Sequence, residues 1–344
     1  MTNLRNGILL GCGNPLLDIS ATVDEQFLAN YELLPNNAIL AEEKHMPIYN
    51  ELIEKFSADY IAGGSVQNSF RVAQWILQQP GIAVFFGCVG KDKYAEILSK
   101  KATDDGVNVQ YQFCEQAPTG TCAVLITGTQ RSLCANLAAA NKFTVDHLKK
   151  PDSDKLLQNA EYFYISGFFL TVSIESIITV AEHALNKNQL FMMNLSAPFI
   201  PQFFKDNLEK VYPYIDIIFG NEAETLTFAQ ERNLGTEDLK EIGLKMSALP
   251  KKNEARGRIV IITQGSDPVL LIQNGNITEF QVEKLNTEQI VDTNGAGDAF
   301  VGGFLAQLVQ GNSYDSCIKC GIWAARQIIQ RSGCTFDGVP DFKL

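Results

Sequence analysis

The chain has 344 residues, of which 46% are hydrophobic and 19% are charged, so its composition is that of an ordinary globular protein with a large core. Its formal net charge is −11 and no basic cluster occurs, which argues against nucleic acid and anionic membranes as partners. The first apolar run, residues 8–12, is too short for a signal-peptide core, and no later run reaches transmembrane length. An acidic protein of this kind that bound a nucleotide would need a local cation or a metal.

The eight cysteines are scattered through mostly apolar segments, which favours buried free thiols in a reducing compartment. We therefore expect the protein in the cytoplasm, with the nucleus as a second location. Cys317 and Cys320 have the spacing of metal ligands, but no second pair or neighbouring histidine completes a zinc site. Two faces of an ordinary helix explain this pair better.

Apolar runs alternate with helical segments along most of the chain, and this order predicts an α/β fold whose mainly parallel central sheet is flanked by helices. The predicted strands are 8–12, 83–88, 162–166, 190–195, 215–219 and 258–263. The predicted helices are 70–78, 92–103, 173–186, 201–211, 299–309 and 313–331. An Asn-Gly turn between two β-prone runs predicts a hairpin over 269–282.

Two segments interrupt this alternation and are predicted to form a small α/β lid. Residues 19–61 are more polar and less regular than their surroundings, and residues 119–137 contain two β-prone runs around a Gly-containing turn, which predicts a hairpin. The large domain would then comprise residues 1–18, 62–118 and 138–344. A lid suits chemistry from which water must be excluded.

The first predicted strand ends in a Gly-rich turn that contains Asn14 and Asp18. Either residue could simply shape the turn. Paired carboxylate oxygens also suit a vicinal diol, because both hydroxyls then donate to one group. A second turn, with Gly63 and Gly64, precedes a helix for which Ser65 would be the N-cap.

Residues 291–305, VDTNGAGDAFVGGFL, combine a glycine-containing turn with an apolar run of helical length. The start of such a helix has unpaired N–H groups and a partial positive charge, so residues 295–297 are predicted to bind an anion, phosphate above all. Asp298 would repel that anion unless its role were chemical, and a carboxylate there could take the proton from an attacking hydroxyl. The alternative is that Asp298 is an ordinary helix-start acid and that Gly302 and Gly303 only allow helices to pack closely.

The strand 215–219 ends in GNEAET, which places Asn221 and Glu224 three residues apart at a helix start, so that both side chains point the same way. Such an oxygen pair suits the water shell of Mg²⁺, although two solvated helix-start residues would have the same pattern. Arg131, in the predicted hairpin, is a candidate for a mobile cation that reaches a phosphate when the lid closes. A solvated loop arginine is the alternative.

Several segments resemble the ribokinase-like (pfkB) family of sugar and nucleoside kinases. DTNGAGDAF, at 292–300, resembles the C-terminal signature of that family, and GNPLLDIS (13–20) and AGGSVQNS (62–69) resemble its N-terminal regions. The similarity extends over nearly the whole chain through AQWILQQP, PTGTCA, RSLCANLAAAN, SGFFLTVS, NLSAPFI, FGNEAE and RSGCTF. It implies a ribokinase-like large domain with a small lid.

The roles that this resemblance implies fall into three groups. The catalytic group comprises the base Asp298, the anion-hole residues Gly295, Ala296 and Gly297, and the cation Arg131. The nucleoside would be bound by Asn14, Leu16, Asp18, Gly64, Ser65, Asn68, Cys122, Leu133, Leu137, Phe169, Phe199 and Asn294. ATP and its Mg²⁺ would be bound by Asn221, Glu224, Thr263 and Gly265, the first two through water.

Among the members of this family, the chain is most similar to those that phosphorylate adenosine. The resemblance implies that the γ-phosphate of ATP is transferred to the 5′-hydroxyl of adenosine, giving AMP and ADP, with Mg²⁺ required. A lid that already covers the site favours a monomer. Two positions depart from the family pattern: Ala38 replaces a glutamine beside the base, and Ile322-Trp323 replaces a His-aromatic pair near the ATP adenine. Both bear on base selectivity and nucleotide affinity.

Three other functions stay open from the sequence alone. A relative that acts on another nucleoside or on a sugar would keep the phosphate-binding residues and differ only in the walls around the base. A non-catalytic adenosine-binding protein would not need Asp298 or the anion-hole glycines. A nicotinamide dehydrogenase would need a Gly-rich fingerprint after the first strand, which GCGNPLLD matches poorly. The sequence also lacks a Walker-type phosphate loop.

Overall fold

The computed structural model describes residues 4–35, 37–128 and 130–343. The strands of these ranges are β1 (Leu9–Cys12), β2 (Leu16–Thr22), β3 (Ala38–Leu40), β4 (Asp59–Gly63), β5 (Ala83–Gly90), β6 (Asn108–Cys114), β7 (Gly120–Thr127), β8 (Gln130–Asn136), β9 (Tyr162–Ser166), β10 (Leu190–Asn194), β11 (Ile217–Asn221), β12 (Ile259–Gln264), β13 (Asp267–Gln273) and β14 (Asn276–Phe280). In the same ranges, no helix combines the length and the apolar character that crossing a bilayer requires.

The α-helices are α1 (Glu25–Asn30), α2 (Pro47–Lys55), α3 (Ser65–Leu77), α4 (Lys93–Asp104), α5 (Val145–Leu148), α6 (Pro151–Asn159), α7 (Ile174–Asn186), α8 (Phe199–Phe203), α9 (Lys205–Val211), α10 (Glu222–Glu231), α11 (Leu239–Ala248), α12 (Ala296–Leu308) and α13 (Tyr314–Ile328). The chain divides into two compact units. Unit 1 contains residues 14–143 and 285–343, and unit 2 contains residues 4–13 and 144–284.

Unit 2 is built on a mainly parallel sheet. Strands β1, β9, β10, β11 and β12 pair in parallel in that order, and β13 and β14 extend the sheet with antiparallel pairing. Helices α7, α10 and α11 pack against these strands. All of β1, the last four residues of β9 and the first four residues of β12 are buried, as expected for parallel strands covered by helices. The predicted α/β fold with a mainly parallel sheet is confirmed, and so is the hairpin of β13 and β14.

Unit 1 contains a second sheet, with the strand order β3-β8-β7-β2-β4. Strands β7 and β8 form the predicted antiparallel hairpin, and β2 joins β7 in parallel and β4 in antiparallel pairing. Alternate residues of β2, such as Ile19 and Ala21, enter a core shared with α1 and α2. This sheet therefore combines strands from both segments of the predicted lid. That it moves as a lid stays a prediction.

The remainder of unit 1 consists of the parallel pair β5 and β6 and a group of packed helices. Helix α12 lies against both α3 and α13. An added Cβ at Gly302 would lie 2.6 Å from the Ser69 carbonyl oxygen of α3, and one at Gly303 would lie 2.5 Å from the Cys320 carbonyl oxygen of α13. These two glycines therefore allow α12 to approach both neighbours closely, as the alternative interpretation of this stretch proposed for them.

Several predicted boundaries are wrong. Asp18 lies on β2 and not in a turn, because the chain leaves the first strand at residue 13 and becomes extended again at Leu16. The segment 19–61 contains strands and helices, although its pattern was too polar to indicate them. Helix α12 begins at Ala296, three residues before the predicted start, and the helix predicted at 201–211 is divided into α8 and α9.

Candidate active site

The start of α12 has the geometry that an anion site requires. Gly295 is the N-cap residue and has a φ of 77°, a left-handed conformation in which a side chain would be strained. Ala296 and Gly297 are then the first two helical residues. The Ala296 N–H donates to the Thr293 carbonyl at 3.3 Å, a long contact that a stronger acceptor could displace. An added Cβ at Gly297 would meet no atom of the described residues within 4 Å, so the space in front of this turn is open.

Asp298 is the third residue of α12, and its half-buried carboxylate accepts two hydrogen bonds from α3. Ser65 Oγ donates to Oδ1 at 2.7 Å, and Asn68 Nδ2 donates to Oδ2 at 3.1 Å. Burial raises the pKa of Asp298 to about 6, while these two hydrogen bonds act in the opposite direction. A carboxylate with a pKa in this range is still ionised near neutral pH and is basic enough to accept a proton.

Asp18 lies in the same unit and is also half-buried. An added Cβ at Gly63 would lie 2.2 Å from Asp18 Oδ1, so only glycine leaves room for this carboxyl group. Gly64, with a φ of 96°, brings its backbone against the Asn14 carbonyl oxygen, which an added Cβ would approach to 2.2 Å. Burial raises the pKa of Asp18 to about 8; the Asp298 charge adds to this increase and the Arg71 cation opposes it. The structure thus brings together residues from both N-terminal segments of the family resemblance.

Four residues predicted to contact the base form one apolar cluster in unit 1. Leu16 and Cys122 are buried in this cluster together with Val124 and Ala140, and Leu133 and Leu137 pack against them. Ala38 on β3 is in register with Leu133 on β8. The position at which the chain departs from the family pattern therefore lies beside a predicted base-contacting residue.

Arg131 is held more tightly than a solvated loop arginine would be. Its side chain is 7% exposed, its Nε forms an ion pair with Asp292 Oδ1 at 2.9 Å, and its Nη2 donates to the Val291 carbonyl at 2.6 Å. Arg131 therefore lies beside the loop that leads into α12. Its movement to a phosphate stays a prediction.

Sequence reasoning missed Asp292, which joins three segments of unit 1. Besides its ion pair with Arg131, its carboxylate accepts from the Asn294 N–H at 2.8 Å and from the Gly333 N–H at 2.8 Å. It is 1% exposed. Asn294, which was predicted to bind substrate, is fixed in this way through its backbone. Asp292 is the first residue of the DTNGAGDAF signature, so a signal was present, but the pattern alone gave no partner for it.

The predicted ATP and Mg²⁺ residues lie together in unit 2, at the carboxyl ends of β11 and β12. Asn221 is in register with Thr263, and Gly265 follows two residues later. Asn221 and Glu224 form a capping box: Asn221 Oδ1 accepts from the Glu224 N–H at 2.9 Å, and Glu224 Oε2 accepts from the Asn221 N–H at 3.0 Å. The two residues therefore cap the start of α10, but Glu224 is 6% exposed, so they are not the solvated pair of the alternative interpretation.

This capping box is still compatible with Mg²⁺. Within the described residues, no group of three or more His, Cys, Asp or Glu side chains could hold a metal ion directly. Glu224 Oε2 accepts from the Asn221 N–H at 3.0 Å and Oε1 accepts from Asn221 Nδ2 at 2.8 Å, and a carboxylate oxygen can accept from more than one donor. Mg²⁺ keeps several waters and uses few protein ligands, so an acid and an amide suit its hydration shell.

The predicted aromatic residues follow β9 and β10 in unit 2. Phe169 is 0% exposed, whereas Phe168 and Phe199 are partly exposed and their ring centroids lie 6.0 Å apart. Trp323, at the second departure from the family pattern, belongs to unit 1. It stacks on Trp75 with the ring centroids 5.3 Å apart, and this contact gives it a structural role in the aromatic cluster at the C-terminus.

The comparisons with known proteins agree with one another over nearly the whole chain. Residues 26–341 match the family model described as pfkB family carbohydrate kinase. Adenosine kinase 2 of Arabidopsis thaliana is 55% identical over 337 residues, which cover 98% of each chain. The adenosine kinase of Schizosaccharomyces pombe is 42% identical over 330 residues, which cover 95% of this chain and 96% of that one.

Solved structures give the same result. The adenosine kinase of Anopheles gambiae, in complex with P1,P4-di(adenosine-5) tetraphosphate, is 66% identical with a TM-score of 0.97, and the alignment covers 98% of this chain and 100% of that one. The adenosine kinase of Schistosoma mansoni, in complex with 2-fluoroadenosine, is 35% identical with a TM-score of 0.95 and coverage of 98% and 99%. The chain therefore belongs to the pfkB family of carbohydrate kinases.

Proposed function

We propose that the protein transfers the γ-phosphate of ATP to the 5′-hydroxyl of adenosine, giving AMP and ADP in purine salvage. The observation that carries this proposal is the position of Asp298. A half-buried carboxylate, held by Ser65 and Asn68, lies in the first turn of a helix whose start is open. The adenosine kinases described above, at 35–66% identity, support adenosine as the acceptor.

The ribose is proposed to bind at Asn14 and Asp18, with Gly64, Ser65 and Asn68 beside them. Asn14 is 7% exposed, and its Oδ1 has no hydrogen-bond donor among the described residues. A ribose hydroxyl would supply the donor that a buried amide oxygen requires. Two donating hydroxyls would likewise favour the ionised form of Asp18 over its neutral form.

The chemical step needs a base, an anion hole and charge neutralisation. Asp298 takes the proton of the 5′-hydroxyl as that oxygen forms a bond to the γ-phosphorus. The bond from the γ-phosphorus to the oxygen that bridges to the β-phosphate breaks, and ADP leaves with the electron pair. The N–H groups of residues 295–297 bind the phosphoryl oxygens, and Arg131 exchanges Asp292 for the phosphate when the lid closes.

The base is proposed to lie against the apolar cluster of Leu16, Cys122, Leu133 and Leu137 in unit 1. The roles of Phe169 and Phe199 as base contacts stay predictions. Alanine at position 38 removes a polar partner, so shape and apolar contact would dominate recognition of the purine.

ATP is proposed to bind near Thr263 and Gly265. Asn221 and Glu224 would hold the water shell of Mg²⁺, which neutralises phosphate charge when bound. A monomer is proposed because the predicted lid already covers the site. The eight free thiols suit a reducing compartment, so we propose a cytoplasmic location, with the nucleus as a second one.

The test is turnover of Mg·ATP with adenosine, inosine, guanosine and ribose, followed through the phosphorylated product. We expect AMP to form with a much higher kcat/KM than any other product. Phosphorylation of another acceptor alone would keep the mechanism but show that Ala38 and its neighbours select a different substrate. No transfer to any acceptor, with adenosine binding intact, would favour a binding protein.

A further inference from the structure

Arg71 is the largest fully buried side chain of unit 1, and neither the sequence motifs nor the proposed mechanism assigns it a role. It lies on α3, three residues after Asn68 and six after Ser65, so the three side chains follow one side of the helix. The other two hold the carboxylate of Asp298. A buried cation in this position therefore belongs to the surroundings of the proposed base.

The guanidinium of Arg71 is fixed by four acceptors in unit 1. Its Nε donates to Asp105 Oδ2 at 2.7 Å, and Nη1 donates to the carbonyl oxygens of Ala62 and Cys334 at 3.1 and 3.2 Å. Nη1 also donates to Asn68 Oδ1 at 3.1 Å. The group thus ties α3 to β4, to the residue after α4 and to the C-terminal segment.

The contact with Asn68 determines which way the Asn68 amide faces. A guanidinium has only donors, so the atom that Asn68 turns toward Arg71 must be its oxygen. The nitrogen of the same amide then faces Asp298, to which it donates at 3.1 Å. If the amide were reversed, its oxygen would face a carboxylate oxygen, and two acceptors would oppose each other.

Arg71 also balances a concentration of negative charge. Asp18 on β2 is under the influence of Asp298, Arg71 and Asp292, and Cys334 in the C-terminal segment is under the influence of Arg71, Asp298, Asp18 and Asp105. Asp105 is paired with Arg71, and Asp292 with Arg131. The Arg71 cation lowers the pKa of Asp18 against burial and the Asp298 charge, which both raise it. Without a cation here, two neighbouring carboxylates would be harder to ionise together.

We infer that Arg71 is a positioning residue for phosphoryl transfer, which sets the orientation of Asn68 and, through it, keeps Asp298 in its ionised form. The inference rests on the proposed function, because Asp298 is taken as the base. If Arg71 had a purely structural role, its substitution would change only the stability of the protein.

The main test is Arg71→Lys, because lysine keeps the charge but cannot donate along the same fork to Asp105 and Asn68 together. We expect kcat for adenosine to fall about tenfold, the size expected for one misplaced hydrogen bond to a charged group, while adenosine still binds. We also expect a larger loss of kcat/KM at pH 6 than at pH 8, because a base with a raised pKa is less ionised at the lower pH.

A double-mutant cycle with Asn68→Ala shows whether the effect of Arg71 on catalysis passes through Asn68 or is independent of it. If Arg71 acts through Asn68, Arg71→Lys will not change the pH profile any further once the Asn68 amide has been removed. If the two losses simply multiply, Arg71 does not act through Asn68 and the inference is overturned.

Arg258→Lys is the matched control. Arg258 is 2% exposed and donates to backbone carbonyls in unit 2, those of Tyr212, Ile215, Met246, Leu249 and Pro250. Its substitution should lower Tm without altering the shape of the pH profile. The same behaviour from Arg71→Lys would show that Arg71 is structural only.

Asp105→Asn provides a second route if Arg71→Lys does not fold. Its side chain is 11% exposed, and the substitution removes the charge that anchors Arg71 while leaving an acceptor in place. A smaller change of the pH profile in the same direction is expected, and an unchanged profile in the folded variant would contradict the inference. Failure of the proposed function is distinguishable, because the unmodified protein would then form no AMP.

Discussion

A carboxylate in the first turn of a helix normally gains stability from the partial positive charge there. Asp298 has this position in α12, yet burial raises its pKa to about 6, and two donors from α3 are needed to hold it. A residue that is costly to ionise and is nevertheless fixed in place is better explained by chemistry than by capping. We expect Asp298→Ala to lower kcat by at least about 10²-fold, the contribution of a general base, with adenosine affinity retained.

Steady-state kinetics and calorimetric titration with adenosine measure these two quantities. Asp315→Ala is the control, because Asp315 is an exposed acid in the first turn of α13. That variant should keep normal turnover. Near-normal turnover of Asp298→Ala would show that the base has been misassigned.

In the proposed mechanism, Asp292 holds the Arg131 cation until the phosphate replaces it as the partner of Arg131. The pair is nearly buried, and Asp292 also accepts from two backbone N–H groups. Loss of Arg131 to a phosphate would therefore leave Asp292 with two of its three partners. This residual hydrogen bonding makes the proposed exchange less costly than stripping a carboxylate of all its donors.

Helix α12 combines a start that must stay open with a middle that must pack closely. An added Cβ at Gly297 would meet no described atom within 4 Å, whereas one at Gly302 would lie 2.6 Å from a backbone oxygen of α3. Gly297→Ala should therefore leave Tm unchanged or raise it slightly, since alanine favours a helix over glycine by up to about 1 kcal/mol. Its methyl group would occupy the predicted phosphate space, so we expect kcat/KM for ATP to fall about tenfold or more.

Gly302→Ala is the matched substitution on the same helix, and it should show the reverse pattern. Its methyl group would force α12 away from α3, so we expect a lower Tm before any specific kinetic effect. Thermal unfolding and kinetics of both variants decide the matter. An active Gly297→Ala protein with normal KM for ATP would mean that this turn does not bind phosphate.

The elements that the sequence predicted correctly are those with strong local patterns. Buried parallel strands such as β9 and β12 are continuous apolar runs, and the hairpin of β13 and β14 has an Asn-Gly turn. The strands of the segment 19–61 were not predicted individually, because β2 and β3 pair with β7 and β8, which are distant in sequence. Local pattern contains no information about such partners.

The same distinction applies to the site. Asp298 and residues 295–297 could be predicted because one contiguous stretch contains the turn, the helix start and the acid. Arg71 could not, because its partners at positions 62, 105 and 334 are brought together only by the fold. Asp292 was visible in the signature, but its pairing with Arg131 connects positions 161 residues apart (292 − 131).

For the stability of the whole molecule, the net charge of −11 matters less than the burial of two acids, Asp18 and Asp298. Asp18 and Asp298 both have pKa values above the ordinary value of 3.8, at about 8 and about 6, chiefly because they are buried. Between the ordinary and the raised pKa, the folded protein holds a proton that the unfolded chain releases. The free energy of unfolding contributed by each group therefore decreases as pH rises through that interval.

Asp18→Asn tests this decrease in the free energy of unfolding, because asparagine has nearly the same shape as aspartate but carries no charge. The substitution should have little effect on Tm near pH 4 and should become stabilising as pH rises to 8, by roughly 2 kcal/mol or about 2–4 °C, in the absence of nucleoside.

Asp92→Asn is the control, for which the opposite effect on Tm is expected. Burial tends to raise the pKa of Asp92, but hydrogen bonds from Thr119 and from backbone N–H groups outweigh it and the pKa is lowered. Asp92 therefore stabilises the folded state above its ordinary pKa, and its substitution should lower Tm by a constant amount between pH 5 and 8. Parallel Tm profiles for wild type and Asp18→Asn would show that Asp18 is ionised in the folded protein at neutral pH without cost. The burial of Asp18 would then not lower the stability of the folded protein in favour of binding the ribose hydroxyls.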